Sequence, residues 1–390
     1  MAAFFPRLYR CLCTKPFLAS AVCQNVQRAR SSAWRNGDPR KRINFTFVAV
    51  TGVVAGAVGH ASMQALEIAN DGITDIMLPV KHKSITPPKI KASRFVSGPV
   101  TKTGLKLTLF QYQTCPFCCK VRAFLQYYGI PFTVIEVDPV LRQQLKFSEY
   151  RKVPILLVED GQDCWQINDS TVIVSMMQSY LIDKEPGFKK YLSLYEPIEM
   201  KDASGKVTTE VLNKYHLMLK DAPSKGQEYD KMRRELKWRT WADDTLVHVL
   251  SPNVYRTRQE ALQAFNYFSE VGQWEANFPA WERLLVIYVG AAAMYLVGKR
   301  LKKRHNLKDD VRQSFRDACN EWMKEVGAAE FHGGNKPNLA DLAVYGVLNS
   351  VEGCTAFKEM LEDTSISSWY WKMKGCVSNH LGSRSLNSGQ

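Results

Sequence analysis

Hydrophobic and polar positions follow two different periods along the middle of the chain. Four short segments alternate or are continuously apolar over four to six residues, and this pattern predicts β-strands: 105–110, 132–137, 155–158 and 164–167. Three stretches instead carry apolar residues every three or four positions, and this pattern predicts helices: from Pro116, over 141–150 and over 173–181. The predicted order of elements is β-α-β-α-β-β-α.

This order is typical of a thioredoxin-like α/β domain, which we place at 105–195. A polar, irregular segment follows at 196–235, with a predicted hairpin around Ala203-Ser204-Gly205. Beyond it only helical periods recur, so we predict an all-α domain over 236–380. Within that domain, the 15-residue apolar run 284–298 is shorter than the roughly 20 residues of a membrane span. The run therefore favours a core helix, with an interfacial membrane contact as the alternative.

The N-terminal third differs in charge from the rest. Nine of the 52 Lys and Arg residues lie within 1–42, which contains one acid, Asp38, and is typical of a targeting region. The stretch 43–66 has no Asp, Glu, Lys or Arg, and as a helix at ~1.5 Å per residue it could cross a ~30 Å hydrocarbon core. We predict a membrane-spanning segment there, with a cleaved apolar presequence as the alternative. Residues 67–104, interrupted by Lys, Pro and Ser, are predicted to be an extended linker.

Composition argues against two classes of function. The net charge of +14 comes mostly from residues 1–42, and no basic stripe with interleaved aromatic residues follows, so nucleic-acid binding is not expected. Ten cysteines in 390 residues do not suggest a disulfide scaffold. Since no second Cys pair or Cys/His pair lies at zinc-ligand spacing, no metal site is predicted.

One pair of cysteines has the spacing of reactive thiols. The motif Cys115-Pro116-Phe117-Cys118 lies at the predicted junction between a strand and a helix. A thiol at a helix N-terminus faces unpaired N–H groups and the positive end of the helix dipole, which lowers its pKa. Lys120 and Arg122 add positive charge nearby. Cys115 is therefore the predicted thiolate, and Cys118 is its less exposed partner.

Two later dipeptides fit a binding site around this motif. Val153-Pro154 precedes a predicted strand, where thioredoxin-like folds place a cis-proline beside a peptide-like ligand. Asp169-Ser170 opens a predicted helix, where N–H groups and a hydroxyl can hold a carboxylate, although a plain helix cap uses the same residues. Together with Cys115, these residues indicate recognition of glutathione.

Longer motifs carry a resemblance to a known family. Besides Val153-Pro154 and Asp169-Ser170, the motifs are Tyr112-Gln113-Thr114-Cys115-Pro116-Phe117-Cys118, Trp241-Ala242-Asp243-Asp244, Ser251-Pro252-Asn253-Val254-Tyr255-Arg256 and Lys336-Pro337-Asn338-Leu339-Ala340-Asp341. Over roughly residues 100–375 the chain resembles the membrane-associated prostaglandin E synthase 2 family. The resemblance implies a glutaredoxin-like domain joined to a glutathione-transferase-like helical domain.

The resemblance also implies an activity and a set of site residues. The expected reaction is isomerisation of prostaglandin H2 to prostaglandin E2, with Cys115 as the thiolate and Tyr112 as a hydrogen-bond donor. Phe117 is expected to cover the thiol with apolar surface, and Cys118 to support it. Glutathione is expected to contact four residues: Val153, Pro154, Asp169 and Ser170. Haem, ligated through the glutathione sulfur, is a further cofactor that the family implies, and that form would fragment the substrate.

Assembly and location follow from the same resemblance. We expect a homodimer attached to the Golgi membrane by the single span 43–66. The catalytic domain is expected to face the cytosol, because a reduced Cys-x-x-Cys that works with glutathione suits that side. A processed, soluble cytoplasmic form is also expected, and mitochondrial targeting is the alternative address.

Three other functions remain open from the residues alone. A glutathione-dependent thiol–disulfide oxidoreductase would use Cys118 as the resolving thiol. A glutathione transferase would conjugate an electrophile in the same cleft. A non-catalytic scaffold would use the fold for partner binding, and its function would tolerate loss of the Cys115 thiol.

Overall fold

The computed structural model describes residues 73–79, 82, 84–100, 103–202 and 207–387. The predicted targeting region 1–42 and the predicted span 43–66 lie outside the described residues and stay predictions. The chain forms two compact units. The smaller includes strand β1 (Ile73–Pro79) and the segment Tyr195–Asn213, and the larger includes His82–Leu194 and the chain from Lys214 onward.

The larger unit begins with a five-stranded sheet. Its strands are β2 (Arg94–Val96), β3 (Lys106–Gln111), β4 (Phe132–Glu136), β5 (Ile155–Asp160) and β6 (Asp163–Asn168). They lie in the order β2-β4-β3-β5-β6, with β3 and β4 parallel and the other neighbours antiparallel. Leu109 on β3 pairs with Leu156 on β5, and both side chains are fully buried. The four strands predicted from the apolar pattern are confirmed.

Three helices accompany this sheet: α1 (Pro116–Tyr127), α2 (Ser170–Ile182) and the short α3 (Phe188–Leu192). The parallel β3 and β4 are joined through α1, and the β5–β6 hairpin leads directly into α2. This arrangement is the thioredoxin-like α/β fold expected from the sequence.

The helix predicted at 141–150 is wrong, because only the 3₁₀ turn Gln143–Leu145 forms there. The carboxylate of Asp138 accepts hydrogen bonds from three backbone N–H groups within the next five residues, at 2.7 to 3.3 Å. Arg142 adopts a left-handed conformation with φ of 51°. Since these N–H groups converge on one carboxylate, they cannot all point along a helix axis.

The linker predicted at 67–104 is wrong in part, since β1 and β2 both lie within it. The chain there is extended, as predicted, but its backbone is paired. β2 lies antiparallel to β4, and the N–H of Ser93 donates to the carbonyl of Val134 at 2.9 Å. A strand of three residues is too short to show an alternating pattern, so the sequence offered no signal for it.

The smaller unit contains a second, three-stranded sheet. Its later strands are β7 (Ile198–Asp202) and β8 (Val207–Glu210), and the order is β1-β7-β8 with antiparallel neighbours. The pairing of β7 with β8 confirms the hairpin predicted in this segment. The residues of its turn, 203–206, lie outside the described chain.

The rest of the larger unit is helical, as predicted. Its helices are α4 (Gln227–Trp241), α5 (Val247–Val254), α6 (Arg258–Val271), α7 (Trp274–Asn277), α8 (Ala280–Leu285), α9 (Ala291–Arg304), α10 (Val311–Val326), α11 (Leu339–Asn349), α12 (Thr355–Asp363), α13 (Ile366–Ser378) and α14 (Ser383–Asn387). π-Helical turns connect α4 to α5 over Ala242–Leu246, and α8 to α9 over Val286–Gly290.

The second π-helical turn makes α8 and α9 one continuous helix of 25 residues, Ala280–Arg304, which we call the long helix. Among the described residues it is the one helix that is long and apolar enough to cross a membrane. The interpretation of 284–298 as a core helix is wrong for its outer side. Val286, Ile287 and Ala291 are buried, but in total only 22% of the apolar stretch of the long helix is buried. The helical spacing of apolar residues predicts an apolar face, but it does not show what covers the opposite face of the helix.

Near its start, the long helix is attached to the sheet domain through two carboxyl groups. Glu282 is 3% exposed, and its side chain forms a hydrogen bond with Asp138, the residue that organises the turn after β4. Burial, followed by the adjacent Asp138 carboxylate, raises the pKa of Glu282 to about 7. Glu282 is therefore the protonated partner that donates the hydrogen bond below about pH 7.

The two halves of the larger unit meet where α11 crosses the helix that follows the cysteine motif. A Cβ atom built on Gly346 would lie 2.6 Å from the Cα of Lys120 and 2.7 Å from its backbone nitrogen. Real Cβ atoms do not approach backbone this closely, so only glycine allows the observed contact. The spacing between α1 and α11 is therefore set at the backbone.

We predict that Gly346→Ala lowers the free energy of unfolding by about 1–2 kcal/mol, because forced overpacking outweighs the gain in helix propensity. Gly375→Ala is the matched control, since Gly375 is also helical and nothing lies within 4 Å of its added Cβ. That control should stabilise the protein by up to about 1 kcal/mol. Urea unfolding followed by circular dichroism measures both, and equal effects of the two substitutions would contradict the close approach.

We predict that the contribution of Glu282 to the free energy of unfolding falls as pH rises from about 4.5 to about 7. The folded state keeps the Glu282 proton in this window while the unfolded chain, with a pKa near 4.3, has lost it. Glu282→Gln should remove this slope and make the protein more stable than the wild type at pH 8. Denaturant titrations at pH 5.5 and 8 test this, with Glu275→Gln as the control because the Glu275 side chain is 85% exposed.

Candidate active site

Cys115 occupies the N-cap position of α1, with Pro116 as the first helical residue. Proline suits this position because its missing N–H would have no partner there. The backbone N–H of Cys115 donates to the carbonyl of Tyr112 at 3.1 Å, which closes a tight turn between β3 and α1. The side chain of Cys115 is partly exposed, as the sequence predicted for a reactive thiol.

The three neighbouring thiols differ in charge state. A hydrogen bond from the Cys118 side chain is the main cause that lowers the pKa of Cys115, and the backbone N–H groups of Cys118 and Phe117 add to it. Burial is the main cause that raises the pKa of Cys118 well above its usual value. Burial also raises the pKa of Cys119 to about 11. Cys115 is therefore the thiol of this group that ionises most readily, and Cys118 is the thiol that donates to it.

The positive charge that acts on Cys115 comes from Arg122. This guanidinium is buried and donates to the Gln111 side chain and to the Gln113 carbonyl, each at 2.7 Å, and to the Cys119 sulfur at 3.0 Å. It holds the segment that leads into Cys115 and also lowers the pKa of that thiol. The expectation that Lys120 acts in the same way is wrong, because its ammonium group forms an ion pair with Asp243.

Tyr112 lies at the end of β3 and is partly buried against the apolar cluster around Phe110 and Ile155. Burial is the main cause that raises its pKa, and the neighbouring Cys115 contributes to the rise. The phenol is thus a neutral donor close to the thiolate. No hydrogen bond joins the two side chains in the part of the chain that the structure describes, so the role of Tyr112 as a donor stays a prediction.

Five of the predicted site residues line one cleft of about 290 Å³ beside the cysteine motif. The complete lining is Phe117, Tyr150, Lys152, Val153, Pro154, Asp169, Ser170, Thr171, Lys214, Tyr215, Asp243 and Asp244. Cys115, Tyr112 and Cys118 are not among the lining residues, although Cys115 precedes the lining residue Phe117 by only two positions. The peptide bond between Val153 and Pro154 is cis, as predicted.

Asp169 caps α2 in an unusual backbone conformation. Its φ is +69°, a region that L-residues rarely occupy, and such residues cluster at functional sites. One carboxylate oxygen accepts the N–H groups of Thr171 and Val172 at 2.7 and 3.4 Å, and the other lies 4.0 Å from the ammonium group of Lys214. Ser170, expected to hold a ligand carboxylate with it, is only 3% exposed.

A buried polar network joins the floor of the cleft to the helical domain. The carboxylate of Asp243 pairs with Lys120 and accepts hydrogen bonds from Thr171 and Tyr215 at 2.8 and 2.9 Å. These contacts, led by the Lys120 charge, lower the pKa of Asp243 despite its burial. Asp244, the next residue, faces the cleft.

This role of Asp243 was not predicted from the sequence, where the residue stood only as part of the motif Trp241-Ala242-Asp243-Asp244. The π-helical turn Ala242–Leu246 holds both aspartates, and such turns are frequent at functional sites. The one available signal was a pair of adjacent acids after Trp241-Ala242 in an otherwise amphipathic helix.

The lining of the cleft fits glutathione. Backbone at Val153, the Asp169 and Asp244 carboxylates and the Lys152 and Lys214 ammonium groups offer partners for a peptide that carries both charges. The lining contains no His, Cys or Met side chain, so a haem here would take its iron ligand from the glutathione sulfur, as the resemblance implies. Across the described residues, no group of three or more His, Cys, Asp or Glu side chains could hold a metal ion.

Comparison with known proteins agrees with this geometry. Residues 109–185 match the family model of the glutathione S-transferase N-terminal domain. A rice glutathione transferase solved in complex with glutathione is 16% identical and covers 72% of this chain and 87% of its own, but its TM-score of 0.37 is too low to support the fold further.

Two curated relatives are similar over much longer stretches. Prostaglandin E synthase 2 from Mus musculus is 42% identical over 366 residues, which cover 92% of this chain and 94% of the mouse protein. Prostaglandin E synthase 2 from Danio rerio is 48% identical over 276 residues, which cover 70% of this chain and 71% of the zebrafish protein. Identity at this level over most of both chains identifies the family, and the protein belongs to the prostaglandin E synthase 2 family.

Proposed function

We propose that this protein is a prostaglandin E synthase, an isomerase that converts prostaglandin H2 into prostaglandin E2 with the Cys115 thiolate in a glutathione-binding cleft. The observation that carries the proposal is the separation of the three thiols. The pKa of Cys115 is lowered, and those of Cys118 and Cys119 are raised. The most readily ionised of the three thiols therefore lies two positions before Phe117, which lines the cleft, and two curated relatives are named prostaglandin E synthase 2.

A thiolate can isomerise an endoperoxide without any external oxidant. The Cys115 sulfur forms a bond to one endoperoxide oxygen, the O–O bond breaks, and the other oxygen leaves as an alkoxide that takes up a proton. The carbon bearing the first oxygen then loses its hydrogen as a proton, which makes the ketone and expels the thiolate. Since one proton is taken up and one is released, the product is an isomer and Cys115 is regenerated.

The residues around Cys115 serve this reaction in separate ways. Tyr112 remains a neutral phenol, because burial raises its pKa, and can donate a proton or a hydrogen bond to the developing alkoxide. The Phe117 ring lines the cleft and offers apolar surface to a lipid chain. Cys118 stabilises the thiolate by donating its S–H, and thus acts as a positioning group.

Glutathione is proposed to occupy the same cleft. The Asp169 and Asp244 carboxylates suit its ammonium group, and the Lys152 and Lys214 side chains suit its carboxylates. When bound, it would supply a second thiol beside Cys115. Haem remains a proposal from family resemblance only, and no step of the mechanism uses it.

Assembly and location remain proposals supported by the resemblance. We propose a homodimer at the Golgi membrane, attached by residues 43–66 with the catalytic domain in the cytosol. The thiolate mechanism needs a reduced Cys115, which suits that compartment.

A thiol–disulfide oxidoreductase is the second candidate, and one observation favours it. The side chains of Cys115 and Cys118 share a hydrogen bond, so the second sulfur is close enough to resolve a mixed disulfide. The two functions differ in whether they require that second sulfur.

Cys115→Ser tests the proposed nucleophile. We expect the rate of prostaglandin E2 formation from prostaglandin H2 to fall by about 100-fold or more, since a serine hydroxyl is not ionised at neutral pH. Products are separated by liquid chromatography, with a sample without enzyme to subtract spontaneous decay. Cys376→Ser, which removes a thiol far from the cleft, is the control and should keep wild-type activity. Identical product profiles for Cys115→Ser and the wild type would overturn the proposal.

Cys118→Ser separates the two candidate functions. A hydroxyl can still donate a hydrogen bond to the thiolate, so isomerase activity should stay within about tenfold of the wild type. Reduction of a glutathionylated protein through an intramolecular disulfide should be lost, because the resolving sulfur is absent. Measuring both activities on one preparation decides between them. Loss of isomerisation together with disulfide reduction would favour the dithiol mechanism.

A further inference from the structure

We propose that the outer face of the long helix docks on an anionic lipid surface. This face, which we call the outer stripe, consists of the exposed residues of Ala280–Arg304. Its apolar part is Trp281, Leu284, Leu285, Tyr288, Val289, Ala292, Ala293, Leu296 and Val297, and its basic part is Lys299, Arg300, Lys303 and Arg304.

The outer stripe has the spacing of a single helix face. Its members recur every three or four residues, so they form one continuous surface about 25 residues, or roughly 35 Å, long. Exposure is high along its length: 58% for Trp281, 61% for Tyr288 and 62% for Leu296. The opposite face, which carries Val286, Ile287 and Ala291, is buried.

The exposed face of a helix on a soluble protein is normally polar, with the apolar face turned to the core. Here the exposed face is itself apolar from Trp281 to Val297, and no side chain on the outer stripe in that span is charged. A contiguous exposed apolar surface of this length marks an interaction site. Trp281 and Tyr288 are also the residue types that favour the boundary between lipid and water.

Charge distinguishes a lipid surface from other partners. No Asp or Glu occurs from Arg283 to Lys308. Lys302, on the same turn, already pairs with Asp309 at 3.1 Å. In contrast, none of Lys299, Arg300, Lys303 and Arg304 has a carboxylate partner among the described residues. These four cations directly follow the apolar part, which is the order that suits acyl chains beside anionic headgroups.

The packing of the inner face favours docking over spanning. The carboxyl group of Glu282 is buried there against Asp138, and the Phe265 ring lies so close to Gly290 that an added Cβ would be 2.7 Å from it. A spanning helix would have to leave these contacts. We therefore infer that the long helix lies along the membrane surface, with the outer stripe toward the lipid.

A second copy of the chain is a less suitable partner for this face. A twofold interface brings the same patch of both copies together. The outer stripe contains four cations and no acid, so two copies would leave those charges without partners. A lipid surface with negative headgroups supplies the missing charge.

The test places the full chain on vesicles of brominated phosphatidylcholine with about one-quarter phosphatidylserine, and follows tryptophan fluorescence. Bromine on the acyl chains quenches only tryptophans that contact them. The chain has nine tryptophans, and residues 43–66 are themselves predicted to enter the membrane. The test therefore compares the quenching of variants with that of the wild type. Trp281→Phe should lose most of the quenching. Trp371→Phe, which removes another exposed tryptophan outside the stripe, should lose none.

Two further variants complete the test. Replacing Lys299, Arg300, Lys303 and Arg304 together by Gln should reduce the quenching of Trp281 on anionic vesicles. Equal quenching in Trp281→Phe and the wild type would overturn the proposal. It would also be overturned if Trp281 stayed unquenched while Tyr288→Glu changed a dimer to a monomer in light scattering, since the stripe would then be an interface between copies.

Discussion

The crossing of α1 and α11 is the contact on which the site depends. Gly346 brings the backbone of α11 against the backbone of Lys120, and α1 carries Cys115 at its N-terminus. Five residues separate the thiol from the crossing point, so any shift of α11 moves the start of α1. The Lys120 ammonium group, held next to this crossing by Asp243, ties the same helix to the π-helical turn. Backbone packing and one buried ion pair thus fix the thiol relative to the cleft.

Two cations on one turn of α1 have opposite tasks. Lys120 is neutralised by Asp243 and holds the two halves of the larger unit together, whereas Arg122 faces the sheet and acts on the thiols. A buried ion pair has a large desolvation cost, and losing either partner leaves a charge without compensation. The hydrogen bonds from Thr171 and Tyr215 to Asp243 offset part of that cost. The ion pair between Lys120 and Asp243 therefore contributes more to the specific arrangement of the two halves of the larger unit than to its stability.

Local patterns in the sequence were enough for β3 to β6, for α1 and α2, and for five of the twelve residues that line the cleft. Each of these depends on neighbours within a few positions, such as the proline after Cys115 or the acid before α2. The pairing of Lys120 with Asp243 spans 123 residues, and no local period encodes it. The helix prediction at 141–150 was wrong for a related reason. Hydrogen bonds from backbone N–H groups to the Asp138 carboxylate outweighed the helical spacing of the apolar residues.

The fold by itself does not choose among the reactions that a glutathione-binding cleft can support, since one fold carries many chemistries. The reaction depends on which of the cysteine thiols ionises. A thiol with a lowered pKa that receives a hydrogen bond from a neutral neighbour is poised for nucleophilic attack, and the neighbour is protected from ionising by its burial. Cys118 is both the donor to Cys115 and the sulfur that could resolve a mixed disulfide, so the wild-type pair can serve isomerisation or disulfide exchange according to the substrate. The apolar ring of Phe117 at the cleft favours a lipid over a folded protein as that substrate.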